Sequence, residues 1–229
     1  MKLATLLIVS TVLLMGAGIR ALPSGSHTLH TGAMAVAPQE SGSFTSSEVL
    51  IEPGVSVGAL KLGDSRERAQ ELFPKKYEDQ EWENHCGTTF NWVDTENKVR
   101  GGNLFIRFKK GKIFQIDSAT TRFHTAEDIT PLDSPEKIAS AYRDMKAYTL
   151  LTAPVAALGD RPLIFWVDKK KGIAFTFAYY PAQHKRYLYQ ITVFVPGKTF
   201  CPQEETTDSP KWQEIRPYSL EPPAAMGVN

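Results

Sequence analysis

The feature that most constrains what this chain can fold into is internal: one pattern occurs twice, in the same order. Leu62-Gly63-Asp64-Ser65-Arg66-Glu67-Arg68-Ala69-Gln70-Glu71-Leu72-Phe73 is answered by Leu132-Asp133-Ser134-Pro135-Glu136-Lys137-Ile138-Ala139-Ser140-Ala141-Tyr142, with Asp64-Ser65 falling on Asp133-Ser134, 69 residues on. Trp92-Val93-Asp94 returns as Trp166-Val167-Asp168, 74 residues on, and Leu104-Phe105-Ile106-Arg107-Phe108 as Ile173-Ala174-Phe175-Thr176-Phe177, again 69 on. Phe114-Gln115-Ile116-Asp117 is matched by Tyr189-Gln190-Ile191-Thr192, 75 on. Preserved order with a drifting offset describes a copied supersecondary unit whose loops differ in length.

Each unit opens on a helix. Ser65 and Ser134 stand where N-caps belong, and Pro135 falls on the first helical position, where its missing N–H costs nothing. Glu67 and Glu136 suit the positive end of the helix dipole. Ala69, Leu72 and Phe73, then Ile138, Ala141 and Tyr142, give one apolar stripe at i, i+3, i+4 spacing. Three strands are predicted after each helix: Thr88–Val93, Asn103–Lys109 and Lys112–Ala119, then Leu163–Val167, Gly172–Ala178 and Arg186–Val195. Phe108-Lys109-Lys110-Gly111-Lys112-Ile113 reads as a hairpin turn. The fold class is therefore α+β: two tandem α-β-β-β repeats forming an antiparallel sheet with the helices packed on one face.

Period-two alternation assigns the faces. Leu104, Ile106, Phe108, Phe114 and Ile116, with Ile173, Phe175, Phe177, Tyr189 and Ile191, are expected under the helices. The opposite, open face then carries two large apolar residues, Phe105 and Phe165, with Arg107 and Asp117 near them; the alternative is that the tail Trp212–Pro217 folds back and covers them. An apolar anchor in a polar surround is how protein interfaces concentrate their energy.

The flanks read differently. Residues 1–21 form a secretory signal, Lys2 followed by an apolar run from Leu3 to Ile19, with an uncleaved N-terminal anchor as the alternative. Residues 22–47, rich in Ser, Thr, Gly, His and Pro, form a flexible linker. The first repeat takes 48–124, the second 125–200, and 201–229 are a proline-rich tail expected as an irregular strap. Formal net charge is +1, so bulk electrostatics draws the chain to neither nucleic acid nor membrane. The two cysteines, Cys86 and Cys201, are even in number in an exported chain and point to one disulfide.

Chemical motifs are sparse. No phosphate-binding loop, zinc helix, nucleophile elbow or Cys-x-x-Cys pair is present. Asp94 and Asp168 each end a strand and open a turn, the ordinary place for Asp. His27 and His30 lie in the linker and offer two ligands where zinc wants three or four. No catalytic residue, cofactor or metal is expected. Lysines crowd the hairpin tips at 109, 110 and 112, at 169 to 171, and in His184-Lys185-Arg186, an edge suited to an acidic protein, lipid headgroups or polysaccharide.

The capped helix Leu62-Gly63-Asp64-Ser65-x-x-x-Ala69-x-x-Leu72-Phe73, the aromatic strand after it and the Phe108-x-x-Gly111-Lys112 hairpin resemble the repeats of the β-lactamase-inhibitor-protein-like fold and the SmpA/OmlA outer-membrane-assembly lipoproteins. The resemblance covers Gly54 to Pro196 in two copies. It implies a non-catalytic envelope or secreted protein that binds another protein through a sheet face or edge loops. The expected function is thus an exported, non-catalytic binding module for an envelope or extracellular protein. Two surfaces are candidates: the open face (Phe105, Arg107, Asp117, Phe165) and the basic tips (Lys109, Lys110, Lys185, Arg186). The partner is no nucleic acid, and no integral membrane segment remains after signal removal. The alternative is a small-ligand carrier or enzyme using an aromatic cleft between the repeats, drawn from Trp82, Trp92, Trp166, Tyr179, Tyr180, Tyr187 and Tyr189.

Overall fold

The chain enters the fold through three short strands, β1 (Leu50–Glu52), β2 (Ser56–Val57) and β3 (Leu60–Lys61). The computed structural model describes residues 49–75, 80–84, 86–95, 102–150, 162–202 and 212–221; the expected signal segment and linker lie outside them. Helix α1 follows as Arg66–Leu72, then β4 (Gln80–Asn84), β5 (Gly87–Asp94), β6 (Gly102–Lys109) and β7 (Lys112–Ser118). A two-residue strand β8 (His124–Thr125) leads to helix α2 (Pro135–Ala141). Four more strands follow, β9 (Lys146–Leu150), β10 (Ile164–Asp168), β11 (Ile173–Tyr180) and β12 (Lys185–Phe194), and the tail adds β13 (Trp212–Ile215).

The two helices begin by the same local chemistry. Ser65 Oγ accepts the Arg68 amide at 3.3 Å and Ser134 Oγ accepts the Lys137 amide at 3.4 Å, each filling a helix-start donor that has no intrahelical acceptor. Asp64 accepts the Lys61 amide at 2.9 Å, and Asp133 accepts the Thr130 amide at 2.7 Å. The segment before each helix then grips a sheet strand with a pair of backbone bonds. Gly63 N donates to Ile113 O and Ile113 N to Asp64 O; Leu132 N donates to Leu188 O and Leu188 N to Asp133 O. Both helices bury a narrow stripe: Ala69 and Ile138 are fully buried, with Leu72, Phe73 and Ala141 packed on the same core.

The structure is an α+β fold dominated by antiparallel sheet. Among the described residues nine strands run in the order β13-β9-β10-β11-β12-β7-β6-β5-β4, and a separate small sheet runs β3-β2-β1-β8. Leaving aside β8 in the small sheet and β13 in the tail, each helix is followed by four strands, where the sequence predicts three. β4 reads Gln-Glu-Trp-Glu-Asn and has one apolar side chain to alternate; β9 is five residues long and begins on a lysine. Neither carries a period that exceeds noise. The tail also departs from expectation, since Trp212–Ile215 pairs with Leu150–Ala147 as the sheet's last strand instead of lying irregularly.

Where the two sets of strands meet, β7 pairs with β12: Gln115 with Phe194, Ile116 with Val193, Asp117 with Thr192, and Ser118 with Ile191. A β-bulge interrupts each flanking hairpin, at Arg107/Phe108 against β7 and at Thr176/Phe177 against β12. Each bulge inserts one residue and reverses the alternation beyond it. Ile113 thus takes the helix-side place predicted for Phe114, and Leu188 takes the one predicted for Tyr189, which packs on the other face.

Beneath the helices lies the main core, with Leu104, Ile106, Ile116, Phe175, Phe177 and Ile191 fully buried. The opposite face carries a second, smaller core built on Phe165, Ala174, Phe194 and Phe200. The small sheet docks onto the β10–β11 turn at two glycines, Gly54 N donating to Gly172 O at 3.2 Å. Both have positive φ, 70° and 73°, and a Cβ on Gly172 would strike the Phe194 carbonyl and Gly54 itself. Glycine is the residue that admits this approach.

A disulfide joins Cys86 to Cys201 across 115 residues, with the Cα atoms 6.2 Å apart. It ties the chain after β12 to the turn before β5. Because it closes a long loop, the double variant C86S/C201S should lose about 3–5 kcal/mol of unfolding free energy, read by urea denaturation, and intact mass should show no free thiol before reduction. Equal stability of variant and parent would show that the bridge does not constrain the unfolded chain.

Candidate functional site

The face expected to be open is closed. Phe105 is 3% exposed and Phe165 is 1% exposed. Trp82, on edge strand β4, stands edge-on to Phe105 at 6.2 Å. Over Phe165 lie Phe200 and Trp212, ring centres 5.8 and 5.1 Å away. Two different covers therefore do the job: an extra strand at one end and the returning tail at the other.

Arg107 and Asp117 are also interior, paired at 2.8 Å with side chains 1% and 0% exposed. Asp117 is the hub of a buried network. Its Oδ2 accepts Arg107 Nε, and its Oδ1 accepts Gln115 Nε2 and Thr192 Oγ1, each at 2.8 Å. Gln115 in turn holds the tail backbone: its Nε2 donates to Cys201 O at 2.6 Å and its Oε1 accepts Cys201 N at 2.7 Å. These residues are structural in this conformation and offer no contact to a partner.

The basic tips do not form one edge. Because β7 and β12 run antiparallel, the β6–β7 turn with Lys109 and Lys110 lies at the opposite end of the sheet from Lys185. Lys109, Lys110 and Lys185 are exposed. Arg186 is buried, its guanidinium 5.9 Å over the Tyr179 ring and its Nη1 donating to Phe177 O at 3.4 Å. Asp94 and Asp168, the recurring strand-end carboxylates, stay apart. Asp94 takes a two-point contact from Arg122 at 2.9 and 2.7 Å. Asp168 Oδ1 accepts the Lys170 and Lys171 amides, both at 3.0 Å.

What the structure does assemble is a groove of 1030 Å³ on the second face, beside the β10–β11 turn. Tyr148 and Val167 come from β9 and β10, Phe200 from the chain after β12, and Trp212 from β13. Register explains the grouping. Tyr148 pairs with Phe165 and Lys146 with Val167, so all four point to the same side, and Trp212 sits opposite Leu150. Tyr148 and Trp212 meet edge-on at 6.1 Å, and Phe200 lies 5.2 Å from Trp212.

The rim is strongly cationic. Arg143, Lys146, Lys169, Lys170, Lys171 and Lys198 line the groove against two carboxylates, Asp144 and Asp168. Lys146 is held by Glu214 at 3.0 Å, a hydrogen bond and charge that raise its pKa. Burial pushes the Tyr148 phenol up, Glu214 adds to that and Lys146 opposes it, so the ring stays neutral at physiological pH. Lys171 lies 4.0 Å from Asp168 and over the Tyr142 ring at 5.4 Å. Arg143, Lys169, Lys170 and Lys198 have no carboxylate partner among the described residues. Like charges around a low-dielectric concavity concentrate the potential at its mouth.

The sequence singles out Lys169 to Lys171 and, as a cover for the sheet face, the tail from Trp212, but not Arg143, Tyr148, Lys198 or Phe200. Among the described residues no three of His, Cys, Asp and Glu come together as metal ligands. Comparison with protein-family models, characterised proteins and solved structures finds no match to this chain, so the resemblance stated above rests on the sequence pattern alone.

Burial makes the roles of the two phenylalanines separable from those of the rim. Phe165→Ser should cost about 3–5 kcal/mol and lower the melting temperature sharply, whereas Lys170→Ser, at an exposed site, should leave it within the scatter of surface changes, about 0.5 kcal/mol. Thermal denaturation of the two variants side by side checks this.

Proposed function

We propose that this chain is an exported, non-catalytic binding module, built from two tandem copies of one unit, that holds a protein partner at the basic-rimmed groove. The observation that carries the binding reading is the groove itself. An aromatic floor of Tyr148, Phe200 and Trp212 lies within a rim where Arg143, Lys169, Lys170 and Lys198 have no carboxylate partner among the described residues. An apolar patch rimmed by polar and charged residues is the pattern that marks an interaction surface.

The duplication is supported by equivalences beyond the sequence pattern. The Ser65 and Ser134 caps, the Asp64 and Asp133 turns and the paired bonds of residues 63–64 and 132–133 recur at an offset of 69. The bulges at 107/108 and 176/177 share that offset. Asp117 pairs with Thr192, its own counterpart at an offset of 75, as a local two-fold between copies would require. This arrangement is what kinship to the inhibitor-protein-like and SmpA/OmlA repeats would produce. Export is supported by the Met1–Arg20 pattern and by the Cys86–Cys201 bridge, which suits an oxidising compartment. Among the described residues no helix is long and apolar enough to cross a membrane.

The alternative of a small-ligand carrier takes its support from the groove's volume, which lies at the top of the range of about 300–1,000 Å³ usual for ligand pockets. The groove is lined by residues between Ala141 and Trp212, so such a ligand would sit against the second unit and not between the two.

The test is capture from an envelope extract with the full mature chain as bait, beside K169E/K170E/K198E. A specific partner should be retained by the parent at low salt and released by the triple variant with its fold intact. Retention of the same partner by both proteins would remove the groove as the binding surface.

A further inference from the structure

We propose that the groove's occupant is an acidic polypeptide segment that sets a large apolar side chain onto the Tyr148–Phe200–Trp212 floor and its carboxylates on Lys169, Lys170 and Lys198. The inference rests on the reading of this groove as the binding surface and names the chemistry of what fills it.

The charge argument fixes the sign of the ligand. Those three lysines stand exposed on two neighbouring turns, after β10 and after β12, joined by the bond from Gly197 N to Lys169 O at 2.8 Å. They line the groove, whose carboxylates among the described residues are Asp144 and Asp168, the latter already accepting two backbone amides. A ligand must therefore bring several negative charges spread over the breadth of two turns.

The floor argument fixes the rest. A phosphate or a single lipid headgroup would engage the lysines and leave the aromatic floor bare. A sulfated or carboxylated polysaccharide also carries spread charge, and the heparin titration below separates it from a polypeptide. A membrane surface is flat and reaches the rim without entering. A polypeptide with interspersed glutamates and leucine or phenylalanine side chains meets both demands. Its carboxylates pair at the solvated rim, where they steer association, and its apolar side chain buries on the aromatic rings, where binding energy is concentrated.

The test uses the full mature chain and a fluorescein-labelled 12-residue peptide of alternating glutamate and leucine, read by anisotropy at low salt. Beside it are titrated the same peptide with serine for leucine, phosphatidylglycerol vesicles and heparin. The glutamate–leucine peptide should bind saturably, about tenfold or more tighter than its serine counterpart, and K169Q/K170Q/K198Q should weaken it at least tenfold. Neutral substitutions at these exposed positions keep the fold, which thermal denaturation checks. If vesicles or heparin bind through the same lysines while the peptide does not, the polypeptide assignment is overturned and the anion-binding groove stands. If the serine peptide binds as tightly as the leucine one, the floor plays no part and the assignment fails likewise. If no probe binds, or the lysine variant binds every probe unchanged, the groove is not the binding surface and both readings fall.

Discussion

The pairing of β7 with β12, and the carboxylate buried at its centre, is the constraint on which the rest of the structure depends. Asp117 lies in the interior with three donors, one each from β6, β7 and β12. Removing a charge from water costs several kcal/mol, and only well-placed donors offset it. The donors come from both sets of strands, so the network is complete only when the two are joined. One of them, Gln115, also grips the Cys201 backbone. That grip, with the disulfide, sets Phe200 against Phe165, and Trp212 packs on both. The groove thus depends in part on the junction: Gln115 and the disulfide place Phe200, while the β9–β10 and β13–β9 pairings bring Tyr148 and Trp212 to it.

Much of this was legible in the sequence, and the reasons it was legible are local. Ser65 and Ser134 cap helices because the capping chemistry lies within three residues of each. Leu104, Ile106 and Phe108 lie under the helices because a strand alternates without reference to the rest of the chain. The bulges broke that logic. Their insertions move Phe114 and Tyr189 off the face their spacing assigns, and nothing in Phe114-Gln115-Ile116 announces an extra residue. Strand β4 escaped for a related cause: at the sheet's edge a strand can be polar on both sides, as Gln80-Glu81-Trp82-Glu83-Asn84 is, and periodicity has little to detect; β9, between β13 and β10, has five residues, too few to show a period.

The site was less legible because its parts are distant in sequence. The lysines at 169 to 171 form a visible run, yet a run of exposed lysines on a hairpin is by itself an ordinary solvated turn. It becomes a candidate only when Phe200 and Trp212 arrive from the tail and Tyr148 from β9, and each of those placements depends on register. Phe105 and Phe165 point away from the helices, as alternation requires. Their exposure was the error, because alternation says which way a side chain points and not what lies over it. Covers supplied by a polar edge strand and by a tail carry no period to read.

Amide hydrogen exchange followed by mass spectrometry tests the central claim most directly. If the β7–β12 junction joins both sets of strands into one cooperative unit, Gln115–Ser118 and Ile191–Phe194 should be among the slowest amides to exchange. Strands β5, β6, β10 and β11 should share their protection, since all would open only with global unfolding. Exchange of β5 through β7 at a rate well separated from that of β10 through β12, with the junction amides among the fast ones, would contradict the account.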